Sequence, residues 1–390
     1  MRSALKLQPL LTALAFSSSV WLPLAQAQEV RADIVASGLQ NPWAVAFLPD
    51  GRFLVTERAG RLRLLAADGK AVSTVAGLPD IEVGGQGGLL DLVTDGDFAR
   101  NRMLYFCYSE PAATGRANST ALASARLSED SSRLENLKVI FSQKPKVASS
   151  AHFGCRIVES RLPGVQGLPD GMLFLTLGDR FSRKEDAQKL DNHHGKIVRI
   201  NKDGSVPASN PFVGKAGALS EIWSYGHRNV QGATLAPDGT LWAHEHGPQG
   251  GDEINLPRSG ANFGWPEITY GENYGGGMVS DGSRSKAGME QPLHYWVPSI
   301  APSGMAFLTS ERYGKAWQGN LFAGSLKFSY LDRIELARPF GGKVVREHKL
   351  LADGGERIRD VRQGPDGLLY VLTDASNGKL LRLVPAQAGK

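Results

Sequence analysis

Short apolar runs separated by polar turns dominate the chain, and amphipathic helical periodicity is scarce. "AVAFLPDGRFLVTE", "GLPDGMLFLTLGD", "ATLAPDGTLWAHE" and "VRQGPDGLLYVLTD" share one shape: a strand-like run, Pro-Asp-Gly, then a second strand-like run. Proline fixes φ and glycine accepts a positive φ, so each reads as a β-hairpin. The turns fall at residues 49–51, 169–171, 237–239 and 365–367, at intervals of 120, 68 and 128. Those intervals are two, one and two units of roughly 64 residues. Two further strand–turn–strand segments, near residues 98 and 315, fill the gaps with other turn residues. Each of the six units is too small to bury a sheet face alone. Radial repetition of small antiparallel sheets buries those faces and hides their edges. The pattern therefore predicts an all-β fold, a six-bladed β-propeller of four-stranded antiparallel blades.

Composition narrows the setting. Glycine is plentiful at 46 residues, as a turn-rich β protein requires. Residues 1–27 read as a secretory signal peptide: Arg2 and Lys6, then "LLTALAFSSSVWLPL", then Ala25-Gln26-Ala27. The remaining 28–390 is expected to form a single propeller domain, exported to a periplasm. No other segment is apolar enough to span a membrane. Without Arg2 and Lys6 the net charge of +5 becomes +3. There is no Lys/Arg tract, so nucleic acid is not an expected partner. Cys107 and Cys155 permit one disulfide or two buried thiols, and their spacing does not choose between them.

Hairpin counting places the polar clusters. A turn between Asp238 and Gly239 sets Asn229 opposite Pro248, so "HRN" meets "EHGPQGGDE" at the end of the unit away from the turn. The same counting sets Arg359 opposite Asp374. It also brings His152, Asp179, Gln86, Ser299 and Lys327 to that end. Converging polar groups at the mouth of a propeller channel mark the expected ligand site. Arg228, Lys327, Arg357 and Arg359 come together there with few carboxylates. Guanidinium groups bind carboxylates bidentately, so a planar polyanionic ligand suits them; the alternative for Arg357 and Arg359 is salt bridging to Glu356 and Asp360. The carbonyls around Gly247 and Pro248, with the carboxylates of Asp252 and Glu253, offer hard oxygen ligands for Ca²⁺. His244 and His246 share a strand face. His152 is the candidate general base. "DNHHGK" reads as a connecting turn.

Several segments, in order over residues 30 to 385, resemble one family: "NPWAVAFLPDGRFLVTERAGRLRLL", "GGQGGLLDL", "HFGCRIV", "LDNHHGKIVRI", "YGHRNVQG", "EHGPQGGDEIN", "NFGWP", "SIAPSGMAF", "GSLK" and "RIRDVRQGPDGLLYVLTD". They resemble the soluble PQQ-dependent aldose sugar dehydrogenases of the glucose/sorbosone dehydrogenase family. The resemblance implies pyrroloquinoline quinone (PQQ) over the channel mouth, activated by Ca²⁺. It makes His152 the base that takes the C1 hydroxyl proton of a cyclic aldose as hydride moves to the quinone. Arg228 stabilises the oxyanion, with Gln86 and Asp179 beside it. Arg228, Asn229, His246, Ser299, Lys327, Arg357 and Arg359 hold the cofactor. Gly247 and Pro248 bind its calcium, and Glu253 with the backbone of Phe263 holds a second one. Ser299 stands where the glucose-specific branch carries Thr and Phe263 where Tyr is common, and short inter-blade loops favour the broader aldose branch. An external electron acceptor and a monomer or weak dimer complete the expectation. Two other readings compete: a calcium-dependent lactonase or esterase, which wants several carboxylates on one metal, and a non-catalytic carbohydrate-binding propeller with an aromatic platform.

Overall fold

The computed structural model describes residues 30–161, 169–337 and 342–386; the signal-peptide segment lies outside them. Six four-stranded antiparallel sheets follow one another around an axis, as the turn spacing predicts. The first strand of each blade lies innermost: Pro42–Phe47, Leu89–Thr94, Ile157–Arg161, Val230–Leu235, Pro302–Phe307 and Ile358–Gln363. These six strands form a contact ring around the axis. The second strands are buried on both faces, as in Phe53–Glu57 and Leu321–Ser325, because each blade is covered by its two neighbours. Outermost strands such as Ala71–Val75 keep exposed positions. Neighbouring blades meet through rings and aliphatic side chains, with Trp242 edge-on to Phe307 at 5.3 Å and Phe47 edge-on to Tyr370 at 5.0 Å.

Blade six closes the ring with a borrowed strand. Its order runs from Ile358–Gln363 through Leu369–Thr373 and Gly378–Pro385 to Val30–Leu39, so the first and last described strands pair antiparallel. On the axis, Arg156 bonds Asp91 and Asp360 at 3.0 Å each. Arg362 joins both acids as well, tying blades two, three and six with fully paired carboxylates.

Two sequence expectations are corrected. Pro169-Asp170-Gly171 is not the hairpin turn but opens the strand Pro169–Thr176, with Arg161 opposite Pro169; the connection, 162–168, lies outside the described residues. The hairpin register also differs. Asn229 faces His246, whose N–H it accepts at 3.1 Å, rather than Pro248. The turn centres on Asp238, with Leu235 opposite Leu241, which shifts the register by one residue, and a β-bulge between Val230 and Gly232 shifts it by one more. Bulges recur at the mouth end of the innermost strands at Pro42/Ala44, Leu89/Leu92, Pro302/Met305 and Ile358/Asp360. A bulge adds a residue and re-aims the side chains after it. Uniform hairpin counting therefore fails just where the site begins.

Candidate active site

The mouth away from the Pro-Asp-Gly turns opens into a cavity of about 930 Å³. Gln86, Asn229, His246, Pro248, Ser299, Lys327, Arg357 and Arg359 line it, as expected, together with Trp43, Arg58, Arg284, Glu272 and Asp374. Five cations thus face two carboxylates, and the wall stays positive after pairing.

His152, Asp179 and Arg228 stand together beside this cavity. His152 adopts a left-handed φ of 51°, and its backbone N–H donates to Gln86 Oε1 at 2.8 Å. Its Nδ1 lies 2.6 Å from Asp179 Oδ1. Asp179 also accepts the Phe181 N–H on Oδ1 and the Trp265 indole N–H on Oδ2, each at 2.8 Å. A carboxylate with three donors has its charged form stabilised. Burial opposes ionisation, yet His152 and the charge of Arg228 hold Asp179 below the usual carboxylate range. An ionised Asp179 accepts a hydrogen bond from Nδ1–H and leaves Nε2 as an acceptor. Burial pushes the imidazole below its ordinary value, against the pull of Asp179, so the ring is neutral near pH 7.

Arg228 is fixed from several sides. Its backbone N–H donates to Glu245 Oε2 at 2.5 Å, and Nη1 to the His246 carbonyl at 3.1 Å. Its guanidinium lies over Trp265 at 5.3 Å and Tyr274 at 5.8 Å. Asn229 Oδ1 accepts the Gly154 N–H, which joins "HRN" to the His152 loop.

The cationic wall is partly neutralised. Arg357 and Arg359 share Asp374 Oδ2 at 3.0 and 2.9 Å rather than Glu356 or Asp360; Glu356 binds Lys379. Against burial, the two arginines hold Asp374 down at about 2. Among the described residues the buried Nε of Arg359 has no hydrogen-bond partner. That orphan donor at the cavity wall suits an anionic ligand.

The residues expected to bind calcium are placed differently from one another. Pro248 lines the cavity, and among the described residues no hydrogen bond ends on the Gly247 or Pro248 carbonyls. Asp252, by contrast, is fully used. Its Oδ1 accepts Gly247 N–H, and its Oδ2 accepts Ser299 Oγ–H and Ala301 N–H. It braces the loop instead of offering a ligand. Glu253 is half-buried, and desolvation with neighbouring Glu245 pushes its carboxyl well above the ordinary range. Asn255 bridges Glu253 to Glu245. Glu245 pairs with His227 at 2.8 Å, and the His227 ring stacks on Phe263 at 4.7 Å. A cation here would relieve the crowded carboxyls. His244 and His246 both turn towards carbonyls of blade five, Gly304 and Pro302. Among the described residues no three His, Cys, Asp or Glu side chains gather as a metal-binding group.

"DNHHGK" is more than a connecting turn. Lys196 is wholly buried and donates to the carbonyls of Asp186, Ala187 and His194. Sequence reading offered Trp265 as part of an aromatic platform or sugar-site wall but missed it as the third donor to Asp179, and it missed Arg180; both act through burial, which no local motif reports.

A family model described as Glucose / Sorbosone dehydrogenase matches residues 39–382. The aldose sugar dehydrogenase YliI of Escherichia coli (strain K12) is 44% identical over 377 residues, covering 95% of this chain and 96% of that protein. The apo-form crystal structure of the soluble aldose sugar dehydrogenase from Escherichia coli is similar at a TM-score of 0.85 and 43% identity, covering 92% of this chain and 100% of that one. The PQQ-bound aldose sugar dehydrogenase from Streptomyces coelicolor is similar at 0.73 and 27% identity, covering 92% and 99%.

Proposed function

The chain belongs to the glucose/sorbosone dehydrogenase family, and from that premise we propose that it oxidises the C1 hydroxyl of cyclic aldoses to the lactone. The reading includes PQQ as the acceptor, Ca²⁺ as its activator and His152 as the base. The observation that carries it is the 2.6 Å contact between His152 and an ionised Asp179 at the edge of a cationic cavity. When bound, the quinone supplies an acceptor for hydride, and calcium acts on it as a Lewis acid. The remaining work falls to the protein. Asp179 accepts the Nδ1–H and fixes the imidazole, so Nε2 takes the C1 hydroxyl proton. Arg228, immobilised by Glu245, His246 and Trp265, offers a donor to the charge that develops on the sugar oxygen. Lys327, Arg357 and Arg359, with Asn229, His246 and Ser299, would hold the cofactor. The Gly247 and Pro248 carbonyls would hold its calcium; Glu253 and the Phe263 backbone would hold a second, structural one. An external acceptor would take up the electrons. The export signal over residues 1–27 makes a periplasmic location part of this proposal, and the Cys107–Cys155 disulfide supports an oxidising compartment.

Dye reduction by purified apo-protein with a panel of aldoses, before and after PQQ and Ca²⁺, tests the whole reading. Turnover appearing only with both additions is expected. No turnover, with a melting temperature that PQQ leaves unchanged, would end the quinone reading.

A further inference from the structure

Arg180 is fully buried and forms no ion pair among the described residues. Burial pushes its guanidinium down to about 9. Placing an unpaired guanidinium in a core is costly, so its contacts need a reason. Nη1 donates to the Ala151 carbonyl at 3.0 Å, and Nη2 donates to the Ser149 carbonyl at 2.6 Å. Nη2 also bonds Asn118 Oδ1. The guanidinium plane covers the Phe153 ring at 3.6 Å. Ser149 Oγ returns a bond to the Arg180 carbonyl at 2.9 Å. These contacts bracket His152 on both sides along the chain.

The flanking residues hold the same histidine. Asp179 binds its Nδ1, and the Phe181 ring stands edge-on to the imidazole at 5.2 Å and 79°. Holding three consecutive side chains to these tasks has a conformational cost. Arg180 and Phe181 take left-handed φ values of 58° and 64°, and His152 takes 51°. Non-glycine residues are strained in that region, and such strain persists where the surroundings over-determine it. A packing role alone would be served by an apolar side chain without these costs.

We propose that Arg180 is a positioning residue for proton transfer: it fixes the backbone at 149–153 so that the His152 imidazole meets the substrate hydroxyl in line. This rests on the reading of His152 as the base. A misplacement of about 1 Å in a proton acceptor costs on the order of a hundredfold in rate, so a rotated loop lowers turnover without unfolding the protein.

The test uses holoprotein loaded with PQQ and Ca²⁺, with glucose as substrate and rates normalised per loaded site. Arg180→Met is expected to lower kcat at least tenfold, with KM changed less than about threefold and the acid limb of the kcat profile displaced. Arg180→Lys, which keeps charge and donors but not the planar fork, recovers part of that loss. Should Arg180→Met fail to fold, Asn118→Ala removes one anchor and is expected to lower kcat two- to threefold. A variant that melts earlier but keeps wild-type kcat and pH profile per loaded site overturns the positioning role. His152→Ala run in parallel separates the two readings. Turnover surviving that change overturns both, whereas a dead His152→Ala beside a wild-type-like Arg180→Met removes only the role of Arg180.

Discussion

His152 owes its chemistry to what surrounds it. Burial lowers its pKa and Asp179 raises it, with burial the larger effect. The group must be neutral to accept a proton, so activity is present above its folded pKa and fades as pH falls through it. The acid limb of kcat/KM is therefore expected below pH 6.5, the ordinary imidazole value. Asp179→Asn removes the partner that holds the pKa up and fixes the tautomer. The limb should then move to still lower pH, while kcat falls by about 10²–10⁴-fold, the usual worth of a positioned base. A pH–rate profile of the variant checks both; a limb that moves upward would contradict the assignment of Asp179. The histidine itself was legible from sequence, because hairpin counting brought it to the mouth beside Asp179. Arg180 and Trp265 were not. An arginine after Gly-Asp reads as a solvated turn residue, and only the folded chain shows its guanidinium lying against Phe153.

The repeated element is a hairpin whose turn chemistry is easy to read and whose other end is not. Pro-Asp-Gly motifs revealed four blades and the spacing supplied two more. Turns centred on Asp238 and Asp366, and bulges at Val230/Gly232 and Ile358/Asp360, then shifted the registers that place Asn229 and Arg359. Bulges carry no fixed residue signature, so their share of the counting error was unavoidable at the functional end. The cysteines show a similar limit: sequence left disulfide and free thiols open, and the fold joins Cys107 of blade two to Cys155 beside the His152 loop, 48 residues apart. Closing a loop of that length removes unfolded-state entropy worth about 4 kcal/mol in the chain-entropy model. Replacing both with alanine should lower the unfolding free energy by up to that amount, read from urea titrations of oxidised wild type and variant. Equal midpoints with equal slopes would mean that the bridge adds nothing to stability.

The ring as a whole makes the site possible, because no blade owns it. Gln86 comes from blade two, Asn229 and His246 from blade four, Lys327 from blade five, and Arg357 with Arg359 from blade six. Their mutual placement depends on closure, and closure depends on Val30–Leu39 covering the free edge of Gly378–Pro385. No local motif reports this pairing, which joins segments almost a full chain length apart. Ala36 and Leu39 are buried with side chains of blades one, five and six in one cluster. Deleting residues 30–39 removes seven register pairs and leaves an unpaired edge open to intermolecular pairing. At a few tenths of a kcal/mol or more per pair, the loss is on the order of 3 kcal/mol. None of the deleted residues lines the cavity, yet blade six carries Arg357 and Arg359. The truncated protein should therefore unfold at lower urea, tend to associate, and show a smaller melting-temperature shift on adding PQQ with Ca²⁺ than the intact protein. Urea titration and thermal unfolding with and without the cofactor measure both effects. A truncated protein matching the intact one in each would show that the ring is held without its terminal strand, by the interlocked blade faces and the Arg156–Asp91–Asp360–Arg362 tie alone.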